Sequence, residues 1–248
     1  MIKRWYTHFH LEGVFVVRVS HPACILVLVA SFVLFACSAR YDIVVGRDGS
    51  AQTDFSAFVG ARTSNLISNL AGVSSSNKVL VLDAVSISKA LKASPAVSSV
   101  SLRNPDARSL SGTVAVSRFD RFLSSRFIRV EITASGGSVS FSLDRVIAPE
   151  VLASLSPEIG DYLSALMAPI ATGENLGNDE YFALVSSVYG DGVAREIRES
   201  KVTLSLKLPG PAVSARGGII SGEKAEFTFP LIDFLTLEKP VRLEAFWR

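Results

Sequence analysis

The chain has 248 residues, with 25 basic and 23 acidic side chains, three histidines and two cysteines. The histidines (His8, His10, His21) and Cys24 all precede residue 37, so the remainder holds no imidazole and a single thiol, Cys37. That remainder has no histidine general base, no histidine-containing zinc or copper site and no internal disulfide, and neither metal nor cofactor is expected.

The N-terminus reads as a targeting segment. Lys3, Arg4 and Arg18 flank an apolar run, Cys24 to Ala36 (CILVLVASFVLFA), that stops at Cys37. The run has the length of a signal-peptide core and falls short of the ~20 residues of a spanning helix. Leu34-Phe35-Ala36-Cys37 resembles the lipobox of bacterial lipoproteins, in which cleavage falls before a cysteine that receives a diacylglycerol thioether. The alternative is a transmembrane anchor extended back across Arg18. The segment before Pro22 is long for a signal peptide, and a start near Val14 or Val17 gives ordinary proportions.

The expected boundaries are therefore 1–36 signal peptide, 37–40 lipidated cysteine and short tether, and 41–248 a single domain. Cleavage removes Lys3, Arg4 and Arg18 against Glu12, which takes away the whole net charge of +2. A neutral mature chain without a basic stripe gives no case for nucleic acid.

Beyond the tether, Tyr41–Val45 reads as strand, Arg47–Ser50 as turn and Ala51–Val59 as a second strand with Phe55 and Ala57 on one face. Ala61–Leu70 has helical spacing, and Asp83 is placed to cap a helix over Ala84–Ala93. Val97–Leu102, Gly112–Val116, Phe127–Ala134 and Val139–Leu143 alternate as strands, with Gly136-Gly137 the expected hairpin turn. Helices follow over Ile147–Leu155, from Pro157, and from a capping Asn178 to Gly190. Ile159, Tyr162, Leu163, Leu166 and Met167 form one apolar stripe that continues in Tyr181, Phe182 and Val185. A short helix over Val193–Glu199 leads to strands at Lys201–Leu208, Lys224–Phe229 and Val241–Trp247, with turns at Pro209-Gly210 and Gly217-Gly218. Strands flanking a helical block, with polar alternate positions, give an α+β fold: an antiparallel sheet with helices packed on one face.

Few residues suggest chemistry. Ser86-Ile87-Ser88-Lys89 matches the S-x-x-K pair of penicillin-binding enzymes but lacks the companion S-D-N and K-T-G elements. Asp48, Asp54 and Gly190-Asp191-Gly192 lack the spacing of a calcium loop and read as turns. No catalytic residue is expected. The stripe formed by Ile159, Tyr162, Leu163, Leu166, Met167, Tyr181, Phe182 and Val185 reads either as ordinary core or as the lining of an apolar ligand cavity between helices and sheet.

Asp48-Gly49-Ser50 after the cysteine, Leu208-Pro209-Gly210, Gly217-Gly218 and the final Phe246-Trp247 follow one another in the order seen in the LppM-like family of envelope lipoproteins, which the chain resembles. The resemblance implies an antiparallel sheet with packed helices and a lipid- or glycolipid-binding role without catalysis; it assigns no functional residue. Members of that family often carry a C-terminal membrane helix. Here the last strand runs to the final residues, so the lipid on Cys37 is the expected anchor. The expectations are a lipoprotein of the bacterial envelope, periplasmic or on the outer-membrane side, since Ser38 is not the aspartate that retains lipoproteins at the inner membrane. Its partners are the membrane, through the lipid, and a lipid or other apolar ligand. The alternative is a structural or assembly subunit with an envelope protein partner.

Overall fold

A computed structural model of the chain describes residues 38–70, 82–92, 94–119, 128–153 and 173–248. The signal segment with Cys37, and the helix expected from Pro157 with Ile159, Tyr162, Leu163, Leu166 and Met167, lie outside the described residues.

The first sheet grows from a hairpin, β1 (Ser38–Val45) and β2 (Ala51–Phe58). Asp48 closes the turn between them, its carboxylate accepting from the Ser50 amide at 3.0 Å and the Ser50 hydroxyl at 2.6 Å. Gly49 takes φ +83°, a conformation that costs glycine little. On the β2 side lie β4 (Ser109–Val116) and, at the edge, β3 (Val97–Arg103). On the β1 side lie β7 (Lys201–Lys207), β10 (Lys224–Pro230) and the three-residue β9 (Ile219–Ser221). The order is β3-β4-β2-β1-β7-β10-β9.

A second sheet holds β5 (Ile128–Thr133), β6 (Gly136–Leu143), β11 (Val241–Trp247) and β8 (Ala212–Arg216), in that order. Six helices complete the described fold: α1 (Ala61–Leu70), α2 (Ala84–Lys92), α3 (Ala148–Ala153), α4 (Asn178–Tyr189), α5 (Asp191–Glu199) and α6 (Leu231–Thr236). The α+β class holds. The single antiparallel sheet becomes two sheets, and β1 runs parallel to β7, with Ala39 opposite Val202 and Val44 opposite Lys207. That pairing joins segments some 160 residues apart, a distance over which alternation within each strand carries no information.

Each strand of the large sheet sends one face into the core. Ala39, Tyr41 and Val45 of β1, Ala51, Phe55 and Ala57 of β2, and Val202 and Leu206 of β7 are buried. Tyr41 stacks on Phe55 with ring centroids 6.1 Å apart. The helices add Ile67, Leu91, Tyr181, Phe182, Val185, Val193 and Ile197 to the same cluster. Helix α6 has no amphipathic pattern in the sequence, because every residue of LIDFLT except Asp233 packs inward. Leu231, Ile232, Phe234, Leu235 and Thr236 are all buried, so no amphipathic period marks it.

Two local expectations shift. The β5–β6 hairpin turns at Ala134-Ser135, since Thr133 pairs with Gly136; Gly136 and Gly137 open β6 instead. They are glycines because β11 passes close by. A Cβ on Gly137 would lie 2.3 Å from the Trp247 ring and 2.3 Å from the Glu131 carbonyl oxygen. Helix α4 begins at Asn178, but its side chain does not cap the helix. Asn178 donates from Nδ2 to Asp233 at 3.2 Å and accepts from the Thr236 hydroxyl at 2.6 Å, tying α4 to α6. The Gly177 amide is instead satisfied by Glu180, at 2.9 Å.

Candidate functional site

Ser38 to Arg40 do not form a tether. They are the first three residues of β1, with Ser38 opposite Phe58, Ala39 opposite Ala57 and Arg40 opposite Ser56. Ala39 is buried. The cysteine proposed for lipidation, itself outside the described residues, is therefore the chain neighbour of a strand residue in the middle of the large sheet. Among the described residues no helix is long and apolar enough to cross a membrane.

Of the eight residues proposed to line an apolar cavity, three are described, and all three are buried on α4. Tyr181, Phe182 and Val185 are 2%, 7% and 3% exposed and belong to the continuous core cluster. The Phe182 ring is covered by the Arg198 guanidinium at 4.3 Å, a cation–π contact between α4 and α5. Burial, and secondarily Tyr189, pushes the Tyr181 phenol well above its ordinary range. In the described part, the stripe packs as core.

The residues weighed for catalysis and calcium have structural partners. Ser86 donates its hydroxyl to Asp83 at 2.5 Å, while Asp83 also accepts from the Ser86 amide at 3.0 Å and the Val85 amide at 3.3 Å. This is the helix cap foreseen for Asp83. The Ser86 hydrogen bond, which outweighs the upward effect of burial, holds its carboxyl below the ordinary range, with the amides adding to it. Asp191 begins α5 and accepts from Ser186. Among the described residues no three His, Cys, Asp or Glu side chains converge to hold a metal ion.

Sequence reading missed a feature on the open face of the large sheet. A depression of about 470 Å³ is lined by Asp42, Asp54, Ser56, Ser101, Arg103 and Thr113, among others. The register explains it. Asp42 lies directly opposite Asp54, Asp54 opposite Thr113, and Thr113 opposite Ser101, so one row of outward positions crosses four strands. On the other side Asp42 faces Ser205, and Ser205 faces Glu226. Asp54 is thus a mid-strand residue, not a turn aspartate. The small side chains beside it leave the backbone floor open.

Two like charges directly opposed across an antiparallel pair repel each other. Here each has its own partner. Arg40 grips Asp42 with two hydrogen bonds, Nε to Oδ2 at 2.9 Å and Nη2 to Oδ1 at 3.0 Å. The Thr113 hydroxyl donates to Asp54 at 2.5 Å. The Ser111 hydroxyl, at the floor, is buried and has no hydrogen-bond partner among the described residues. The lining holds two carboxylates and one guanidinium, Arg103, and Arg40 pairs with Asp42 from beside it, so the depression is polar and carries charges of both signs. Such a surface offers acceptors, donors and hydroxyl groups that serve as both.

No protein-family model matches the chain, and no curated protein does. Among solved structures it is similar to the NMR structure of the folded domain of LppM from Mycobacterium tuberculosis. The two share 13% identity over 85% of this chain and 88% of that one, with a TM-score of 0.40, a weak resemblance of fold.

Proposed function

We propose that this chain is a non-enzymatic lipoprotein of the bacterial envelope that binds a neutral, hydroxyl-rich ligand on the open face of its large sheet. The anchor is a diacylglycerol on Cys37. Its support is the lipobox-like Leu34–Cys37 after a short apolar run, and a domain whose first strand starts at the next residue. With no tether, the domain works against the membrane surface.

The observation that carries the ligand reading is the polar depression, which holds charges of both signs. A phosphate or sulfate would meet Asp42 and Asp54, and a cation would meet Arg40 and Arg103. A polyol or glycan meets neither penalty, and its hydroxyls match the alternating acceptors and donors. A lipid or other apolar ligand beneath the helices would depend on Ile159, Tyr162, Leu163, Leu166 and Met167, since Tyr181, Phe182 and Val185 are already occupied by core packing.

Ligand-observed NMR against a panel of envelope glycan fragments, free fatty acids and phospholipids tests the reading. Saturation transfer to glycan protons that disappears in Asp54→Asn supports it. Transfer confined to acyl chains, unchanged by that substitution, contradicts it.

A further inference from the structure

Resting on the lipid-anchor reading, we infer that one end of the large sheet is a membrane-contact surface, with Phe58 and Val85 seated in the bilayer interface. The strand directions gather that end around the anchor. β1 starts there at Ser38, β2 ends there at Phe58, β4 starts there at Ser109 and β7 starts there at Lys201. Consecutive Cα atoms are ~3.8 Å apart, so the acylated sulfur of Cys37 cannot leave this end.

Phe58 stands directly opposite Ser38 and is 42% exposed, which is unusual for a phenylalanine in a sheet whose inward face is closed. The Arg108 guanidinium lies 5.2 Å from its ring centroid, an arrangement that places an apolar ring beside a cation at one level. Val85, 76% exposed, stands at the start of α2, which the Asn104 side chain fastens to the same end. Asn104 accepts from the Ala84 amide at 3.0 Å and donates to the Ser109 carbonyl at 2.9 Å. The carboxylates nearby are occupied internally. Asp83 caps α2, and Asp106 accepts from the Arg108 amide at 2.7 Å and the Ser109 hydroxyl at 2.8 Å. The charges left at this end are Arg108, exposed Lys201 and, beside Lys201, exposed Glu199. Exposed apolar side chains with Arg108 beside one of them suit the interface of an anionic leaflet. The two acyl chains of a diacylglycerol hold the protein on the membrane, and contacts at the anchor end fix the orientation of the domain.

The test is site-directed spin labelling of the full lipidated protein in vesicles of phosphatidylethanolamine and phosphatidylglycerol. The mature chain has no cysteine besides Cys37. A label at Ser109→Cys, beside Phe58, is compared with one at Ala115→Cys, ~20 Å further along the same strand face. The expected result is a ratio of oxygen to nickel-chelate accessibility several-fold higher at 109 than at 115. Phe58→Ser combined with Val85→Ser should erase the difference while leaving the melting temperature within a few degrees. Protein that carries the acyl mass and floats with vesicles, yet shows water-like accessibility at both labels, overturns the contact surface and leaves the anchor standing. Protein without the acyl mass overturns the anchor and the surface together. Spin–spin broadening at 109 in detergent, without vesicles, would assign this end to a second copy of the chain and also overturn the proposal.

Discussion

Glu196 on α5 supplies the cap that Gly60 cannot give α1. Its carboxylate accepts from the Thr63 amide and the Thr63 hydroxyl, both at 2.9 Å, and from the Arg62 amide at 3.1 Å. Gly60 is the N-cap residue by its carbonyl, which accepts from the Ser64 amide at 2.9 Å, but it has no side chain to offer. A Cβ at Gly60 would lie 2.2 Å from the Glu196 carboxylate. The missing side chain is what lets a helix 130 residues away reach in.

Glu196→Ala is therefore expected to cost about 1–2 kcal/mol, the usual loss for an N-cap, read by urea denaturation. The ionised form carries the interaction. Burial alone would raise the Glu196 carboxyl, but the hydrogen bonds from Thr63 and Arg62 outweigh it and hold it below its ordinary value. The native group thus binds its proton less readily than the unfolded one. Its contribution is complete above the ordinary glutamate value of about 4.3 and fades as pH falls through the lowered native value. Glu196→Gln should flatten that part of the acid limb in a stability–pH profile; an unchanged limb would show that other carboxylates dominate it.

Gly137→Ala should destabilise by about 1–3 kcal/mol through forced overlap with Trp247 and the Glu131 carbonyl. Far-ultraviolet circular dichroism melts give the shift, and Trp247 fluorescence, now from a buried ring, should report the loosened β6–β11 contact. Glycines at this point of the sequence look like a turn. The contact that requires them comes from a strand more than 100 residues later, and nothing local announces it.

Asp54→Asn should separate stability from binding. It removes the repulsion with Asp42, worth a few tenths to 1 kcal/mol at a directly opposed pair, while its amide oxygen can still accept from Thr113. The variant is expected to be as stable as the parent or slightly more so, and to lose glycan binding in the same preparation. Weaker stability with intact binding would assign Asp54 a purely structural role.

Arg145 is a second point where a single side chain fastens distant segments. It donates to the Thr236 carbonyl at 3.0 Å, the Leu237 carbonyl at 3.1 Å, the Leu176 carbonyl at 2.8 Å, the Glu174 carbonyl at 3.4 Å and the Asn175 side chain. None of these acceptors is a carboxylate, so the guanidinium serves the C-terminal carbonyls of α6, where a cation is favoured. Arg145→Ala should cost about 3 kcal/mol or more by leaving several carbonyls without donors, and Arg145→Lys should recover only part, since an ammonium cannot span the fork. Amide hydrogen exchange at Leu176–Asn178 and around Leu237 should speed up selectively.

The strands and helices that bury one face were legible in the residues. Val241–Trp247 and Ala61–Leu70 occupy the spans their periodicity marks, and Ile128 and Val130 face the core while Arg129 and Glu131 face out. Asp83 caps the start of α2 and Gly190, at φ +87°, ends α4, as their types suggest. What stayed hidden was long-range. The parallel partnership of β1 with β7, the extension of the Asp42–Asp54 hairpin pair to Thr113 and Ser101, and the use of Asn178 to bind α6 all follow from register between distant segments. The open polar depression is a product of that register, so no single stretch of sequence displayed it.

Mass analysis of the N-terminal peptide from protein isolated out of native membranes tests the anchor most directly. The account predicts a chain beginning at Cys37 and carrying a diacylglyceryl group, with Cys37→Ser abolishing both the modification and the cleavage. An N-terminal peptide that runs through residue 37 with an unmodified thiol, recovered from the same membranes, would contradict it.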